Sequence, residues 1–171
     1  LVIMVLAQIG GFGLMAVSSV VAVALAGRLE LRHRLATQAE VNLDGAANFR
    51  TVILGVFKWS MGVEATVAAA LFIGFAGIHG EPVGRAAWLG LFHAVTSFNN
   101  AGFALFSDNL VGFVDDPWIS GVIATSIVLG GIGFPVLMEL RRQYHFPKRW
   151  SLHTKITLLA TGVLIVVGAT A

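Results

Sequence analysis

The chain has 171 residues, of which 57% are hydrophobic and only 12% are charged, and its formal net charge is +2. Soluble domains average about 25% charged residues, so this composition indicates a membrane protein. The absence of cysteine excludes disulfides and cysteine-based metal sites, and the basic residues form no stripe of the kind that binds nucleic acid.

Four apolar segments are predicted to be transmembrane helices, because a helix needs about 20 mostly apolar residues to span a bilayer. They are residues 1–26, 52–78, 118–138 and 155–171. The chain begins and ends inside apolar runs, so we expect it to be a piece of a longer protein whose last helix is truncated here.

The basic residues predict how these helices are oriented. Ten of the eleven lie in or beside the connections 27–51 and 140–154, and only Arg85 lies in the connection 79–117. Because basic loops remain in the cytoplasm, we expect the first two connections to be cytosolic and the third to be extracellular. The outer connection also carries four acidic residues, which would raise the cation concentration at its surface.

The outer connection contains a short apolar segment, residues 86–98 (AAWLGLFHAVTSF). Thirteen residues of helix rise about 20 Å, too little to cross a hydrocarbon core of about 30 Å. Both flanking helices are expected to end on the same side, which is compatible with a re-entrant helix. Apolarity alone leaves open an interfacial helix on the outer surface or a hydrophobic cap.

The five residues that follow, Asn99, Asn100, Ala101, Gly102 and Phe103, favour the re-entrant interpretation. Asparagine and glycine end helices and accept unusual dihedral angles, and non-helical backbone at membrane depth is tolerated where it lines a wet cavity. The preceding helix would point its partially negative C-terminal end at this stretch, and exposed carbonyls can replace the hydration shell of a cation. We therefore expect this stretch to line a cation pathway.

Two glycine clusters repeat along the chain, at residues 9–14 (IGGFGL) and 129–134 (LGGIGF), 120 residues apart. Both lie in helices predicted to run inward, as a repeat of helix, re-entrant loop and helix would require. Gly130, Gly131 and Gly133 with Pro135 predict a bend in the later helix, since proline removes a backbone hydrogen bond. The bend is compatible with a gating hinge or with close packing against the pore helix.

These motifs together resemble a known family. Residues 92–103 (FHAVTSFNNAGF) resemble the pore loop of the Trk/Ktr/HKT superfamily of potassium transporters, and residues 8–15 (QIGGFGLM) and 130–137 (GGIGFPVL) resemble its inner-helix signatures. Residues 152–155 (LHTK) resemble its link into the next repeat. The resemblance implies an all-α integral membrane fold of the potassium-channel-like type, built from four repeats of transmembrane helix, re-entrant pore loop and transmembrane helix.

The resemblance also implies a role for each segment. Residues 1–26 would be the inner helix of a preceding repeat, 52–139 a complete repeat with its pore helix at about 86–98 and its filter at 99–103, and 155–171 the first helix of the next repeat. The backbone carbonyls of Asn100, Ala101 and Gly102 would bind K⁺ as one quarter of a selectivity filter. Gly102 would take the place of the family's filter glycine.

The function that this resemblance implies is potassium uptake across the plasma membrane by a multi-pass protein, with dependence on sodium left open. The chain would be a transporter without a cofactor and not an enzyme, surrounded by membrane lipid, with K⁺ as the transported ion. A homodimer and a cytosolic nucleotide-binding regulatory subunit are implied as partners. Two alternatives remain: a secondary transporter with broken helices for another cation or solute, and a membrane scaffold that transports nothing.

Four further polar residues lie inside the apolar segments. Glu64 is in mid-span, where an acid costs about 2.5–3.5 kcal/mol on insertion scales, so it must face protein or water. It could contact a cation pathway, but we favour an ion pair or a hydrogen bond to a pore-helix group. His93 is compatible with a pH sensor, although a packing hydrogen bond is favoured, and Thr96 and Ser97 are expected to brace the pore loop.

Overall fold

The structure is a computed structural model that describes residues 1–14, 16, 17, 21, 45–143 and 145–170. This part of the chain is helical throughout, with turns between the helices and without β-strands. The predicted all-α fold is thus confirmed for the described residues. Most of the predicted connection 27–51, with its basic residues Arg28, Arg32 and Arg34, lies outside them.

The described residues form six α-helices, which we number in chain order. They are α1 (Val2–Leu14), α2 (Gly45–Ile73), α3 (Val83–Phe98), α4 (Pro117–Ile132), α5 (Phe134–Gln143) and α6 (Leu152–Thr170). A π-helical turn, Gly74–Ile78, extends α2, and 3₁₀ turns lie at Val111–Phe113 and Pro147–Arg149. Helix α2 begins seven residues before the predicted span at 52, because a helix can continue past its apolar segment into water.

By length and composition, one helix could cross a membrane alone, over Ile53–Ile78. Helices α4 and α5 meet the same test only as a pair, and they are bent by 95° at the break between them. The predicted span 118–138 is therefore not one straight helix. Helices α1 and α6 are apolar but shorter in the described part of the chain.

Helix α3 packs between α2 and α4, and this contact forms the hydrophobic core. Leu71 and Phe75 of α2 and its π-helical turn, Leu89 of α3 and Ile119 of α4 are buried there. Gly90 allows the closest approach, since a Cβ atom at this position would lie 2.8 Å from the backbone oxygen of Ala68. Glycine at this crossing brings the backbones of α2 and α3 closer than any other residue would permit.

An aromatic cluster joins the end of α2 and its π-helical turn to α3 and to the segment after it. The ring of Phe75, which is fully buried, lies edge-on to Phe113 at 5.6 Å between centroids. His93 stacks on Phe106 at 5.4 Å, and Phe106 lies 4.9 Å from Phe113. Aromatic pairs at these distances add to the energy of area burial, so the cluster holds the chain between α3 and α4 against the core.

Asp116 begins α4 as its N-cap. Its Oδ1 accepts hydrogen bonds from the backbone N–H groups of Trp118 at 2.8 Å and Ile119 at 3.2 Å. Its Oδ2 lies 2.6 Å from Nε2 of His79, which follows the π-helical turn. The hydrogen bond with His79, assisted by the two backbone N–H groups, lowers the pKa of Asp116 below its ordinary value.

At the start of α6, Oγ of Ser151 accepts a hydrogen bond from the backbone N–H of Thr154 at 3.2 Å, and Glu139 of α5 holds Ser151 in place. Its carboxylate accepts hydrogen bonds from the backbone N–H and the hydroxyl of Ser151, both at 2.6 Å, and from the hydroxyl of the buried Thr154. An anionic group at the start of a helix satisfies its free N–H groups and complements its dipole. Helix α5 and the 152–155 motif are therefore bound together.

We expect Gly90→Ala to lower the thermal stability of the full-length protein in detergent, because the added methyl group would collide with the backbone of α2. Overpacking of this kind costs about 1–3 kcal/mol. Gly84→Ala in the same helix is the control, since a Cβ atom there meets nothing within 4 Å. Equal melting temperatures for the two variants, measured by tryptophan fluorescence, would contradict the close crossing.

We expect Asp116→Asn to change the acid limb of the stability profile. A carboxyl whose pKa is lowered in the folded state contributes stability that is complete above its unfolded pKa of about 3.9, and that is lost as the pH falls through the folded pKa. Asparagine still caps the helix but does not titrate, so the variant should lose less stability than the wild type below about pH 4. Melting temperatures between about pH 3 and 7 test this, and parallel profiles would exclude the pair with His79.

Candidate functional site

The candidate site lies at the C-terminal end of α3, where buried residues are followed by exposed ones. Residues 92–98 at the end of the helix are all buried, whereas Asn100, Gly102 and Phe103 are exposed. The C-terminal end of α3, with its partial negative charge, thus meets a short loop that is open to its surroundings. We call residues 99–103 the filter loop, after the role that the sequence predicts for them.

The end of α3 has a specific hydrogen-bonding pattern. The backbone N–H of Ala101 donates to the oxygen of Thr96 at 2.8 Å, and that of Asn100 donates to the oxygen of Ser97 at 3.1 Å. Asn100 has a φ of 53°. This pair of bonds around a left-handed residue is a Schellman motif, and asparagine is among the few residues that adopt the left-handed conformation readily.

A second left-handed residue follows at Gly102, with a φ of 72°. A side chain on a residue with this φ angle would strain the backbone. The conformation therefore favours glycine, even though a Cβ atom here would meet nothing within 4 Å. Among the described residues, no hydrogen-bond donor reaches the carbonyls of Asn100, Ala101 or Gly102. These three carbonyls are the groups that the sequence predicts to bind K⁺.

The side chain of Asn99 connects the loop to α1 and α2. Its Nδ2 donates to the backbone oxygen of Val95 at 2.9 Å, to Oε1 of Glu64 at 3.1 Å and to Oε1 of Gln8 at 3.4 Å. Its Oδ1 lies so close to Gly11 that a Cβ atom there would be only 1.8 Å away. The hydrogen bond that we favoured for Glu64 is thus confirmed, with the residue that caps the pore helix as its partner.

Asn100 and the end of α3 contact α4 on another side of the loop. A Cβ atom on Gly130 would lie 1.8 Å from the backbone oxygen of Phe98 and 3.2 Å from Nδ2 of Asn100. Gly130 therefore has the close-packing role that the sequence left open for the later glycine cluster. Both glycine clusters contact the loop, at Gly11 in α1 and at Gly130 in α4.

Three polar residues of α3 form hydrogen bonds near its C-terminal end, of which that of Ser97 reaches α4 and that of Thr96 stays within α3. Ser97 donates to Oγ of Ser126 in α4 at 2.9 Å, and Thr96 donates to the backbone oxygen of Phe92 at 3.0 Å. The buried ring of His93 lies 2.8 Å from the backbone oxygen of Leu89 and accepts from the backbone N–H of Leu105 at 3.4 Å. These bonds assign Nδ1 as the protonated nitrogen of a neutral imidazole, in agreement with a packing role.

A cavity of about 230 Å³ lies beside the filter loop, between it and α4. Asn100, Gly102 and Phe103 line it together with His93 and Ile123. Phe103 is 53% exposed in the described part of the chain. No cluster of three or more histidine or acidic side chains that could hold a metal ion occurs in the described ranges.

The predicted bend is present at the end of α4. Gly133 separates α4 from α5 with a φ of 83° and a ψ of 154°, a conformation that is essentially restricted to glycine. Pro135 lies in the first turn of α5, where its missing N–H has no helical partner to lose. Gly131 is near Asn100, since a Cβ atom on this glycine would lie 4.0 Å from Nδ2, so the cluster both packs and bends.

Sequence reasoning did not find the contacts of Gln8 and Gly11. Gln8 is the only strongly polar side chain in residues 1–17, and it stands beside the glycine pair at 10 and 11. A lone amide in an apolar helix needs a hydrogen-bond partner, and adjacent glycine marks close approach of another backbone or side chain. Together, the lone amide and the glycine pair indicate that another group contacts α1 here, but they do not identify Asn99 as that group.

Comparison with known proteins bears on all of these residues. A family model described as TrkH, cation transport protein, matches residues 2–171. The chain is 34% identical to Ktr system potassium uptake protein B of Vibrio alginolyticus over 98% of its own length, and 37% identical to the protein of the same name from Bacillus subtilis (strain 168) over 95%. It is 30% identical to the potassium/sodium uptake protein NtpJ of Enterococcus hirae over 97%.

The chain spans little more than a third of the length of these relatives, namely 37%, 36% and 36%. The family match nevertheless covers almost every residue of the chain, including the filter loop and both glycine clusters. It confirms the resemblance seen in the motifs, and a family of cation transport proteins agrees with the prediction of a transporter rather than an enzyme. The chain belongs to the TrkH family of cation transport proteins.

Proposed function

We propose that the protein to which this chain belongs takes up potassium ions through a selectivity-filter pore, and that residues 99–103 form part of that filter. The observation that carries the proposal is the filter loop itself: exposed backbone with two left-handed residues at the negative end of a buried helix. The names of three relatives, two potassium uptake proteins and one potassium/sodium uptake protein, support potassium as the ion.

In this proposal the ion is held by the backbone carbonyls of Asn100, Ala101 and Gly102. Carbonyl oxygens replace the water shell of a cation, and the partial negative charge at the end of α3 lowers the cost of dehydration. Three further repeats of the same kind would supply the other sides of the pore. The loop differs from a Thr-Val-Gly-Tyr-Gly filter, so we expect its selectivity to be looser or to rely on the other repeats.

The length of α3 supports the re-entrant placement that we propose for it. Helix α3 has 16 residues and rises about 24 Å, less than a hydrocarbon core of about 30 Å, which favours a re-entrant segment. We place the loops 27–51 and 140–154 in the cytosol and 79–117 outside, in a multi-pass plasma-membrane protein. A homodimer and a cytosolic nucleotide-binding regulatory subunit, which would bind near the basic residues of 140–154, belong to the same proposal.

The bend at Gly133 is proposed as a gate. A helix that can straighten or fold back at a glycine changes the width of the pathway below the filter. A secondary transporter with alternating access would also use a broken helix, so the 95° bend is compatible with that alternative. Inhibition of potassium influx by an organic solute, rather than by other monovalent cations, would favour the secondary transporter.

We expect Gly102→Ser in the full-length protein to reduce the preference for potassium over sodium, because serine strains the left-handed backbone and displaces the carbonyls. Gly80→Ser is a matched control, since Gly80 also has a positive φ, of 67°, and also has nothing within 4 Å of its Cβ position. Both variants carry a strain of roughly 1–2 kcal/mol, but only the first is in the filter loop.

Potassium and sodium influx into cells that lack other potassium uptake systems measures this preference. A Gly102→Ser protein with unchanged preference would refute the filter assignment. An equal loss in Gly80→Ser would show that the effect is one of general stability. A membrane scaffold, the remaining alternative, predicts no potassium influx for either variant or for the wild type.

We expect Gly133→Ala to change the rate of potassium influx roughly tenfold or more while leaving the potassium-to-sodium ratio unchanged. Alanine in this glycine-only conformation costs about 1–3 kcal/mol, so the variant should favour a straighter helix. Gly121→Ala in α4, where a Cβ atom meets nothing within 4 Å, is the control. A changed ion ratio with an unchanged rate would argue against a gate at this position.

A further inference from the structure

Glu64 is a buried carboxylate that the proposed conduction mechanism does not use. It lies within the apolar helix Ile53–Ile78, and its side chain is only 4% exposed. An acid at such a position costs several kcal/mol unless other groups compensate it. The contact of its Oε1 with Nδ2 of Asn99 at 3.1 Å is therefore energetically important to the fold around the loop.

The neighbours of Asn99 determine which way its amide points. Three acceptor oxygens surround Nδ2: the backbone oxygen of Val95 and Oε1 of both Glu64 and Gln8. If the amide were reversed, its oxygen would face three other oxygens with no hydrogen between them. An amide NH₂ has two hydrogens, so the two shorter contacts, to Val95 and Glu64, take them, and Gln8 at 3.4 Å is the weaker third partner.

The position of Asn99 is also restricted sterically. Its Oδ1 is in such close contact with Gly11 that only glycine fits there, while its backbone N–H donates to Val95 at 3.1 Å as the last bond of α3. The side chain is thus confined between α1 and α2. The next residue, Asn100, adopts the left-handed conformation that opens the filter loop.

We propose that Glu64 is a positioning residue for ion selectivity: through Asn99 it fixes the orientation of the filter loop without touching the ion. The inference rests on the proposed function, since it assigns a role in the same filter. A set of carbonyls discriminates between ions only when it is held within about 0.5 Å of its working geometry, which requires supporting side chains behind it. Among the described residues, Glu64 is the only acidic or basic side chain that forms a hydrogen bond with the loop.

Two substitutions test whether Glu64 acts as a hydrogen-bond acceptor or only fills space. Glu64→Gln can present an acceptor oxygen at the same distance, whereas Glu64→Leu has a similar volume and no acceptor. We expect Glu64→Gln to keep most of the preference for potassium over sodium. We expect Glu64→Leu to lose it roughly tenfold, as for the loss of a hydrogen bond to a charged group.

The test is a double-mutant cycle in the full-length protein, with potassium and sodium influx as the measurement. The cycle comprises Glu64→Leu, Asn99→Ala and the combination of both. If Glu64 acts through Asn99, the second substitution adds little to the first, because the same interaction is already lost. The control is Thr66→Val in the same helix, since Thr66 is exposed and bonds only to the backbone oxygen of Gly62.

Three results would overturn the proposal: a Glu64→Leu protein with wild-type ion preference, additive losses in the double variant, or an equal loss in Thr66→Val. If Glu64→Leu does not accumulate in the membrane, Glu64→Asp replaces it, because aspartate withdraws the carboxylate from Asn99 by one methylene group. A wild-type preference in that variant would then overturn the proposal in the same way, and a reduced one would support it.

Parallel measurement of Gly102→Ser separates this inference from the proposed function. If Gly102→Ser changes the ion preference and the Glu64 variants do not, the filter stands and the positioning role fails. If neither changes it, the filter assignment itself fails.

Discussion

The loop that follows α3 has no regular hydrogen-bonding pattern beyond its first residues, so its shape depends on the side chains that anchor it. Asn99 reaches α1 and α2 through its amide, and Asn100, next to it, lies against α4. Because consecutive residues at a helix end point in different directions, one Asn-Asn pair can bind the loop to separate helices. The backbone of the half-buried Ala101 and the exposed Gly102 is held relative to the core by this pair.

The same geometry explains why glycine occurs in both clusters. A Cβ atom on Gly11 in α1 would lie 1.8 Å from the side-chain oxygen of Asn99, and one on Gly130 in α4 would lie 1.8 Å from the backbone oxygen of Phe98. Two glycine clusters that are 120 residues apart in sequence therefore both pack against the end of α3 and its loop, although the glycines in contact are not at equivalent positions of the two clusters. This is what a tandem repeat arranged around a pathway would produce, with one inner helix on each side of a pore loop.

How far the sequence predicted the structure depends on whether a feature is local. The helix before the filter loop was expected at 86–98 and is found at Val83–Phe98, because Pro82 and Asn99 bound an apolar run. The Gly133 and Pro135 signal located the bend, but its angle of 95° depends on packing that no local pattern encodes. A hydrogen bond or an ion pair was expected for Glu64, but its partner Asn99, 35 residues away, could not be identified, since periodicity shows which face is apolar and not which polar groups meet.

The placement of Glu64 bears on how such a filter would select between ions. A carboxylate in the pathway attracts every small cation, since Coulomb attraction depends on charge and distance and discriminates poorly between potassium and sodium. A carboxylate behind the loop, with its Oε1 bonded to Asn99, acts through the geometry of neutral carbonyls instead. The number and spacing of carbonyl dipoles are what distinguish ions of equal charge. In the proposed filter, Glu64 therefore supports selectivity from outside the pathway, where it contributes rigidity rather than attraction.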